Sequence, residues 1–170
     1  MKNIESLSVD ISKYGDRVID NLIKAQRSTA KDLYKDVKLS APVDTGAYRE
    51  SIQLSDTTYD GNTITTSVYT DAMVYDSLGR GYNLGELIEY GTRPHIIEPA
   101  RKSVLKFTVQ GKTIFASHVF HPGTVANPHF QVSLQKNVPL YHFNIRKAIK
   151  EAELWEKKSK LSLRKYKILK

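Results

Sequence analysis

Apolar side chains recur at intervals of three and four along the first 37 residues, and this pattern constrains the fold more than any other feature. Polar and charged side chains fill the positions between them, so the period predicts one long amphipathic helix. Pro42 requires this helix to end before it, because the residue that precedes a proline is displaced from helical dihedral angles. The apolar positions are Ile4, Leu7, Ile11, Tyr14, Val18, Leu22, Ala25, Leu33 and Val37.

Two β-hairpins are predicted where segments rich in β-branched and aromatic residues flank turn residues. Residues 51–59 and 63–70 are separated by Asp60-Gly61-Asn62, and residues 104–109 and 112–116 by Gln110-Gly111. Both pairs alternate apolar and polar side chains, which is typical of antiparallel strands with one buried face. Between the hairpins, the glycine-rich segment from Asp76 to Asn83 predicts a long mobile loop.

The C-terminal part of the chain, from Pro128 to about Lys158, predicts a second helix with an interruption near Pro139. A proline inside a helix removes one hydrogen bond and favours a kink or a restart, and Asn137 is placed to cap the second piece. The order of helix, strands and helix predicts the α+β class. We expect one domain over residues 1–156 and a basic tail over residues 157–170.

The positive charge of the chain is concentrated at its C-terminal end. The net charge is +8, and residues 157–170 contain seven Lys or Arg residues and no acid. Without these seven charges, residues 1–156 carry only +1, so the body is nearly neutral. A DNA-binding domain usually carries basic residues on a folded face. The distribution therefore predicts either a solvated charged terminus or a tail that docks on an acidic partner or on DNA.

Composition restricts the compartment and the class of site. The chain contains no cysteine, which excludes disulfides and thiolate metal sites and is consistent with a reducing cytoplasm. No apolar run approaches the ~20 residues that span a bilayer, and residues 1–5 lack the apolar core of a signal peptide. We therefore expect a protein that is made in the cytoplasm and has no membrane partner.

No pattern predicts an active site or a metal site. His118 and His121 are three residues apart, but on a strand such residues point to opposite faces, and no acid is placed near them. Gly79, Gly81 and Gly85 lack the spacing of the dinucleotide fingerprint. A catalytic Ser, His and Asp triad assembled from residues far apart in the sequence stays open, because spacing along the chain does not test it. We expect no cofactor, no metal ion and no enzymatic activity.

Three short motifs punctuated by glycine and proline lie in the middle of the chain. Taken singly, each predicts a turn, because glycine adopts backbone angles that a Cβ atom disfavours. Asp44 or Thr45 is placed to cap a short helical turn, and His121 to order its turn by a hydrogen bond from side chain to backbone. The motifs are Ala41-Pro42-Val43-Asp44-Thr45-Gly46 before Arg49, Ser51 and Ile52; Glu89-Tyr90-Gly91-Thr92 before Pro94 and His95; and His121-Pro122-Gly123-Thr124 before Pro128 and Phe130.

Taken together, the three motifs resemble the signature of the tail-completion, or head–tail joining, proteins of tailed phages. The segments 41–52, 89–95 and 121–130 match that signature in order, and the similarity covers about residues 5–155. The loop over residues 76–84 and the basic tail after Lys157 look like additions to the family pattern. The similarity is therefore carried by the body of the chain.

The resemblance implies an α+β subunit in which an antiparallel sheet curves against a long N-terminal helix and a C-terminal helix. Such subunits form rings, commonly hexameric, at the neck of the virion between the head connector and the tail. The implied neighbours are connector or stopper proteins and tail-tube or tail-terminator proteins, and genome DNA passes through the lumen. Assembly is expected in the host cytoplasm, and the role is structural.

Two groups of residues are singled out under this interpretation. One group supports the fold, and the other contacts neighbouring subunits or rings. The fold-supporting residues are Asp44, Thr45, Gly46, Arg49, Glu89, Tyr90, Gly91, Thr92, His121, Pro122 and Gly123. The candidate contact residues are Leu78, Arg80, Tyr82, Leu84, Arg164, Lys165 and Lys167.

Two other functions stay open at the level of sequence. The first is a nucleic-acid-binding module that uses the basic C-terminal tail, for which salt-dependent DNA binding is the expected property. The second is a metal-dependent hydrolase, which requires a bound metal ion.

Overall fold

The computed structural model describes residues 2–76, 78–99 and 103–168. Within them, two long helices lie near the two ends of the chain and two short helices lie between them. This arrangement confirms the α+β class and the long helix predicted at each end. No helix in the described ranges is both long and apolar enough to cross a membrane. The helices are α1 (Lys2–Ser40), α2 (Ala47–Ser51), α3 (Leu84–Tyr90) and α4 (His129–Ile168).

The strands are short and pair two by two. The described part contains five two-stranded sheets, ordered β1-β4, β2-β3, β5-β6, β7-β10 and β8-β9. The last four pairs are antiparallel, as the sequence predicts. The strands are β1 (Ile52–Leu54), β2 (Thr58–Tyr59), β3 (Ile64–Thr65), β4 (Val68–Thr70), β5 (Met73–Tyr75), β6 (Gly81–Asn83), β7 (His95–Ile97), β8 (Leu105–Val109), β9 (Lys112–Ala116) and β10 (Val119–His121).

Both predicted hairpins are confirmed, and their turn residues act as expected. The Asp60 carboxylate accepts hydrogen bonds from the backbone N–H groups of Asn62 and Thr63, at 2.9 and 2.7 Å. These bonds lower the pKa of Asp60. In the second hairpin, Gln110 and Gly111 both have positive φ angles, 49° and 77°, which suits the right-handed twist of the flanking strands.

The loop predicted over residues 76–83 is shorter in the structure, because residues 81–83 form β6, which pairs with β5 in a third hairpin. The Asp76 carboxylate closes its turn by accepting the N–H groups of Leu78 and Arg80, both at 2.9 Å, and Ser77 lies outside the described residues. Gly81 belongs to a strand: a Cβ atom there would lie 2.9 Å from Cε of Met73. Glycine was interpreted as a sign of mobility, whereas here it admits a cross-strand side chain.

Helix α3 follows this hairpin directly and was not predicted. Asn83 caps it, since its side-chain oxygen accepts the N–H groups of Gly85 and Glu86 at 2.8 and 3.3 Å. The order Asn83-Leu84-Gly85-Glu86, with an acid at the third helical position, is the signal that could have located the helix start.

The predicted interruption of the C-terminal helix near Pro139 is also wrong. Helix α4 is continuous from His129 to Ile168 and contains Pro139. Asn137 does not cap a helix; its side chain is 5% exposed and donates a 2.7 Å hydrogen bond to Asp36. The helix therefore continues through Pro139, although the proline removes one backbone hydrogen bond. The predicted domain boundary at residue 156 lies inside α4, and the domain division stays a prediction.

The chain forms two compact units. Unit 1 comprises Met1–Asp36, Leu54–Val68 and Leu134–Lys170. Small and amide side chains lie between α1 and α4 in this unit: Ala30 and Ala152 are buried, and the Asn144 amide donates to the Thr29 hydroxyl at 3.0 Å. The hydrogen bond joins the two helices and satisfies both polar groups.

Unit 2 comprises Val37–Gln53 and Tyr69–Ser133 and contains the three sequence motifs. Its core is small. Among the described side chains of the chain, only Ile52 and Val37 combine large size with almost complete burial. The hydroxyls of Ser51 and Thr70 are hydrogen-bonded at 2.7 Å beside this core, so polar contacts extend it.

Replacement of Asn137 by alanine is expected to destabilise unit 1 in a pH-dependent way. The hydrogen bond from Asn137, followed by that from Lys136, lowers the pKa of Asp36 from 3.8. The stabilisation is therefore present above about pH 4 and is lost as the pH falls through the lowered pKa. At pH 7, Asn137→Ala should reduce the free energy of unfolding by about 1–3 kcal/mol.

Urea unfolding between about pH 7 and pH 2 measures this effect. Asn144→Ala is the matched control, because its partner Thr29 is neutral and its cost should not depend on pH. If the loss of unfolding free energy changed with pH equally in the two variants, the pH dependence could not be assigned to the contact between Asn137 and Asp36.

Candidate functional site

The three motifs meet in unit 2 around the first turn of α4. Glu89, at the start of the second motif, is 7% exposed. Its two carboxylate oxygens accept the backbone N–H groups of Gln131 and Phe130, at 2.8 and 3.0 Å. The first N–H groups of a helix have no partner within the helix, and the helix dipole favours a negative charge there. Glu89 therefore caps α4 from a distant point in the sequence.

His129 connects this cap to the first motif. Its Nδ1 lies 3.0 Å from the carbonyl oxygen of Asn127 and 3.2 Å from Oε2 of Glu89. Because both oxygens can only accept, Nδ1 carries a proton. The other ring nitrogen, Nε2, is hydrogen-bonded to the Tyr48 hydroxyl at 2.9 Å. The result is a row of three side chains: the half-buried Tyr48 and the buried His129 and Glu89.

The surroundings of the row act on the ionisation of its tyrosine. Burial, followed by the negative charge of Glu89, raises the pKa of Tyr48 to about 12. A tyrosine nucleophile requires a lowered pKa, so the environment opposes formation of the phenolate. Glu89 is also occupied by two backbone donors. The contacts stabilise the position of α4 relative to α2 and α3 inside unit 2.

The second and third motifs interlock through their backbones. The N–H groups of Thr92 and Thr124 each donate to the carbonyl oxygen of the other residue, at 3.0 and 3.2 Å. Gly91 and Gly123 lie at this crossing with φ angles of 71° and 85°. A Cβ atom on Gly91 would collide with the carbonyl oxygen of Thr124, and one on Gly123 with that of Thr92. Both glycines are therefore required by close backbone approach as well as by φ.

His121 orders the third motif, as the sequence predicts. Its Nδ1 accepts the N–H of Gly123 at 3.1 Å. The imidazole also lies against that of His95, with 5.1 Å between ring centroids. Within the described ranges, no three His, Asp or Glu side chains are grouped closely enough to hold a metal ion. The adjoining Pro122 is exposed.

The first motif differs from its prediction. Gly46, with φ 88°, occupies the N-cap position of α2, and no side chain caps that helix by a hydrogen bond to it. Thr45 makes only a long 3.4 Å contact with the N–H of Ala47. Arg49 reaches the carbonyl oxygen of Ala41 at 3.4 Å. The predicted cap by Asp44 or Thr45 is wrong, because the αL conformation of Gly46 redirects the chain at that point.

Asp44, the acid of the first motif, makes no polar contact within the described part of the fold. It is exposed and forms no hydrogen bond or ion pair with another described residue. It lies on the wall of a groove of about 490 Å³, which residues 42–48, Leu84 and Ile88 of α3, and Thr124, Val125 and Asn127 line. We call this the motif groove. Its exposed rim includes Val43 and Val125, at 54% and 90% exposure.

The predicted contact residues are placed differently from one another. Leu78 and Tyr82 are exposed on the β5–β6 hairpin, at 71% and 41%, and Arg80 pairs with Asp76 at 2.6 Å. Leu84 is half-buried at the motif groove. The side chains of Arg164, Lys165 and Lys167 lie outside the described part, although the backbone of α4 continues through these positions.

Sequence reasoning missed two members of the row, Tyr48 and His129. Tyr48 follows a glycine motif without any signal of burial, and no sequence pattern singles out His129. Tyr90, grouped with the fold-supporting residues, is 77% exposed. The assignment of roles to these residues stays a prediction.

A family model with the description "Bacteriophage HK97-gp10, putative tail-component" matches residues 5–91. This range covers α1, the first motif and the second motif as far as Gly91, and it ends before the third motif. No curated protein and no solved structure matches the chain.

Replacement of Glu89 by glutamine is expected to weaken the cap of α4. The NH2 group of the glutamine amide would face one of the two backbone N–H groups, and two donors cannot form a hydrogen bond. The negative charge that complements the helix dipole is also lost. The free energy of unfolding should fall by about 1.5–3 kcal/mol. Glu86→Gln on the exposed side of α3 is the matched control and should change it by less than about 0.5 kcal/mol.

Urea unfolding at pH 7 measures the difference, and amide exchange at Phe130 and Gln131 locates it. Equal stability of the two variants, with unchanged exchange at these amides, would exclude the capping role.

Replacement of Gly123 by alanine is expected to be much more costly than replacement of Gly111. Both residues have positive φ angles, 85° and 77°, but the site of a Cβ atom on Gly111 is open space. Gly111→Ala should therefore cost only the ~1–2 kcal/mol of the αL conformation. Gly123→Ala must also displace the backbone at Thr92, which should bring the total above about 3 kcal/mol. Thermal unfolding of the two variants compares them; similar midpoints would contradict the interlock.

Proposed function

Because the chain belongs to the HK97-gp10-like family of bacteriophage tail components, we propose that it is a ring-forming tail-completion subunit. In this role it links the head connector to the tail at the virion neck. The matched range, residues 5–91, includes the first motif and the second motif as far as Gly91. The chain is accordingly a phage tail component and part of the virion.

The solvent-exposed apolar side chains of unit 2 are the observation that carries the proposal. Large side chains that a monomer would bury are at least 60% exposed. Such surfaces mark protein–protein contacts when they cluster. They are Tyr75, Leu78, Tyr90, Ile96, Phe115 and Phe120.

The strand pairing supports assembly by a second argument. Each sheet in the described part has two strands, so each leaves backbone groups unpaired along its edges. An isolated two-stranded sheet is of marginal stability, and its edges are templates for another chain. Subunits that associate around a ring would cover both the edges and the apolar faces.

The charge distribution fits a lumen through which DNA moves. Residues 1–156 carry a net charge of only +1. A strongly basic wall would hold the phosphates of DNA and hinder its passage. The resemblance implies six copies, with connector or stopper proteins on one side and tail-tube or tail-terminator proteins on the other.

The proposed role is structural and non-catalytic. The row of polar side chains described above raises the pKa of its tyrosine and uses its carboxylate as a helix cap. The candidate contacts of this role are Leu78, Arg80 and Tyr82 on the β5–β6 hairpin and the basic segment at the end of α4.

Head–tail joining in vitro tests this function. A lysate of the phage with this gene inactivated should contain heads and tails that do not join. Addition of the purified chain should restore joined particles and infectivity, and immunogold labelling should locate the chain at the neck. Leu78→Glu should reduce joining about tenfold without unfolding, because it places a charge in an apolar contact. Leu39→Glu is the matched control, since Leu39 is 78% exposed on α1.

Joined particles that form in the absence of the chain would falsify the proposal. Salt-dependent retention on duplex DNA that is lost on deletion of residues 157–170 would favour the nucleic-acid-binding alternative.

A further inference from the structure

The β8–β9 hairpin carries an apolar surface that nothing in the described part of the chain covers extensively. Opposite residues of an antiparallel pair share one face, and the register pairs Val109 with Lys112 and Phe107 with Ile114. Phe107 is half-buried opposite Ile114. Towards the tip, Val109 and Ile114 are 47% and 39% exposed. The tip thus presents two apolar side chains beside one cation.

The motif groove presents the opposite combination. Its walls are apolar, with Val43 and Val125 exposed on the rim, and Asp44 is its one charged lining residue. Neither Asp44 nor Lys112 forms an ion pair with another described residue. An unused carboxylate in an apolar groove and an unused ammonium group beside an apolar tip are complementary in charge and in polarity.

We propose that the tip of the β8–β9 hairpin of one copy docks in the motif groove of the next copy. Val109 and Ile114 pack against Val43 and Val125, and Lys112 pairs with Asp44. The inference rests on the proposed function and specifies the contact between subunits of the ring.

A second copy of this chain is the occupant that the observations favour. Both surfaces belong to unit 2 of the same chain, and they differ from each other. Two different complementary surfaces make a head-to-tail contact, which closes into a ring when the rotation between copies permits. The contact also explains why an exposed residue, Asp44, follows the proline of the first motif without contributing to its turn.

The other large groove of unit 2 is a less suitable acceptor. It has a volume of about 620 Å³ and is lined by parts of the β5–β6 hairpin and β7, with Arg80 and Arg93 beside Asp76 and Glu98. Asp76 is already paired with Arg80. The two arginines would repel Lys112, whereas no cation lines the motif groove.

Cysteine cross-linking tests the contact cleanly, because the natural chain contains no cysteine. Asp44→Cys and Lys112→Cys are made separately and together, and oxidation is carried out both in concentrated solution and on joined particles. A single cysteine per chain permits dimers at most. The variant with both should give a ladder of covalent multimers that ends at the ring size.

The matched control pairs Lys112→Cys with Glu98→Cys, which places the second cysteine at the other groove. The expected result is a ladder for the Asp44 pair and no species above the dimer for the Glu98 pair. No ladder for the Asp44 pair, or a ladder for the Glu98 pair alone, overturns the proposal.

Charge reversal gives an independent reading of the same contact. Asp44→Lys and Lys112→Asp should each weaken self-association at least about tenfold, because like charges then face each other. The variant with both substitutions should recover most of it. Both positions are exposed, so the substitutions should leave the fold intact. Circular dichroism of each variant checks this. Equal association of the single and double variants contradicts the pairing.

The joining assay separates this inference from the proposed function. If the natural chain restores joining but the Asp44 pair gives no ladder on joined particles, the docking contact is wrong and the function stands. If the natural chain fails to restore joining, the function is wrong, whatever the cross-linking result.

Discussion

The carboxylate of Glu89 is the contact on which the arrangement of unit 2 depends. It is almost completely buried, and a buried charge is tolerated only when hydrogen bonds and compensating charge surround it. The first backbone N–H groups of α4 supply both. His129 then connects the carboxylate to Tyr48, so that one buried group holds α2, α3 and the start of α4 together. The crossing of Thr92 and Thr124 holds the adjoining loops.

This arrangement uses backbone and polar contacts where a larger domain would use apolar bulk. Few large side chains are buried in the described part of the chain, and many lie in solvent. With so few large side chains buried, a monomer would have marginal stability. A subunit of an assembly can bury its apolar side chains against its neighbours. The interior and the apolar exterior of unit 2 are therefore built from different residues. Glycines and capping groups define the interior, and the hairpins carry the apolar exterior.

Periodicity and turn chemistry predicted those parts of the fold that local interactions control. The apolar period located α1, and the residues around Gly61 and Gly111 located two hairpins. The errors occur where a distant contact overrides the local preference. Asn137, expected to cap a helix, instead donates a hydrogen bond to Asp36, which lies 101 positions away. Gly81 lies in a strand paired with β5, where the side chains of Met73 and Tyr75 occupy the space that a Cβ atom would need. Glu89 was recognised as a motif residue, but its partners lie 41 and 42 positions away.

The sequence by itself determined the α+β class, the position of the long helices, two hairpins and the phage family. These follow from periodicity, from turn residues and from the order of three motifs, all of which are local or depend only on order. Tertiary structure alone decided which motif residues are internal and which face outward. Glu89 and Asp44 are both acids beside a glycine motif. Only the folded chain places one at the N-terminus of a helix and the other on the wall of an open groove, because burial depends on contacts between segments far apart in the sequence.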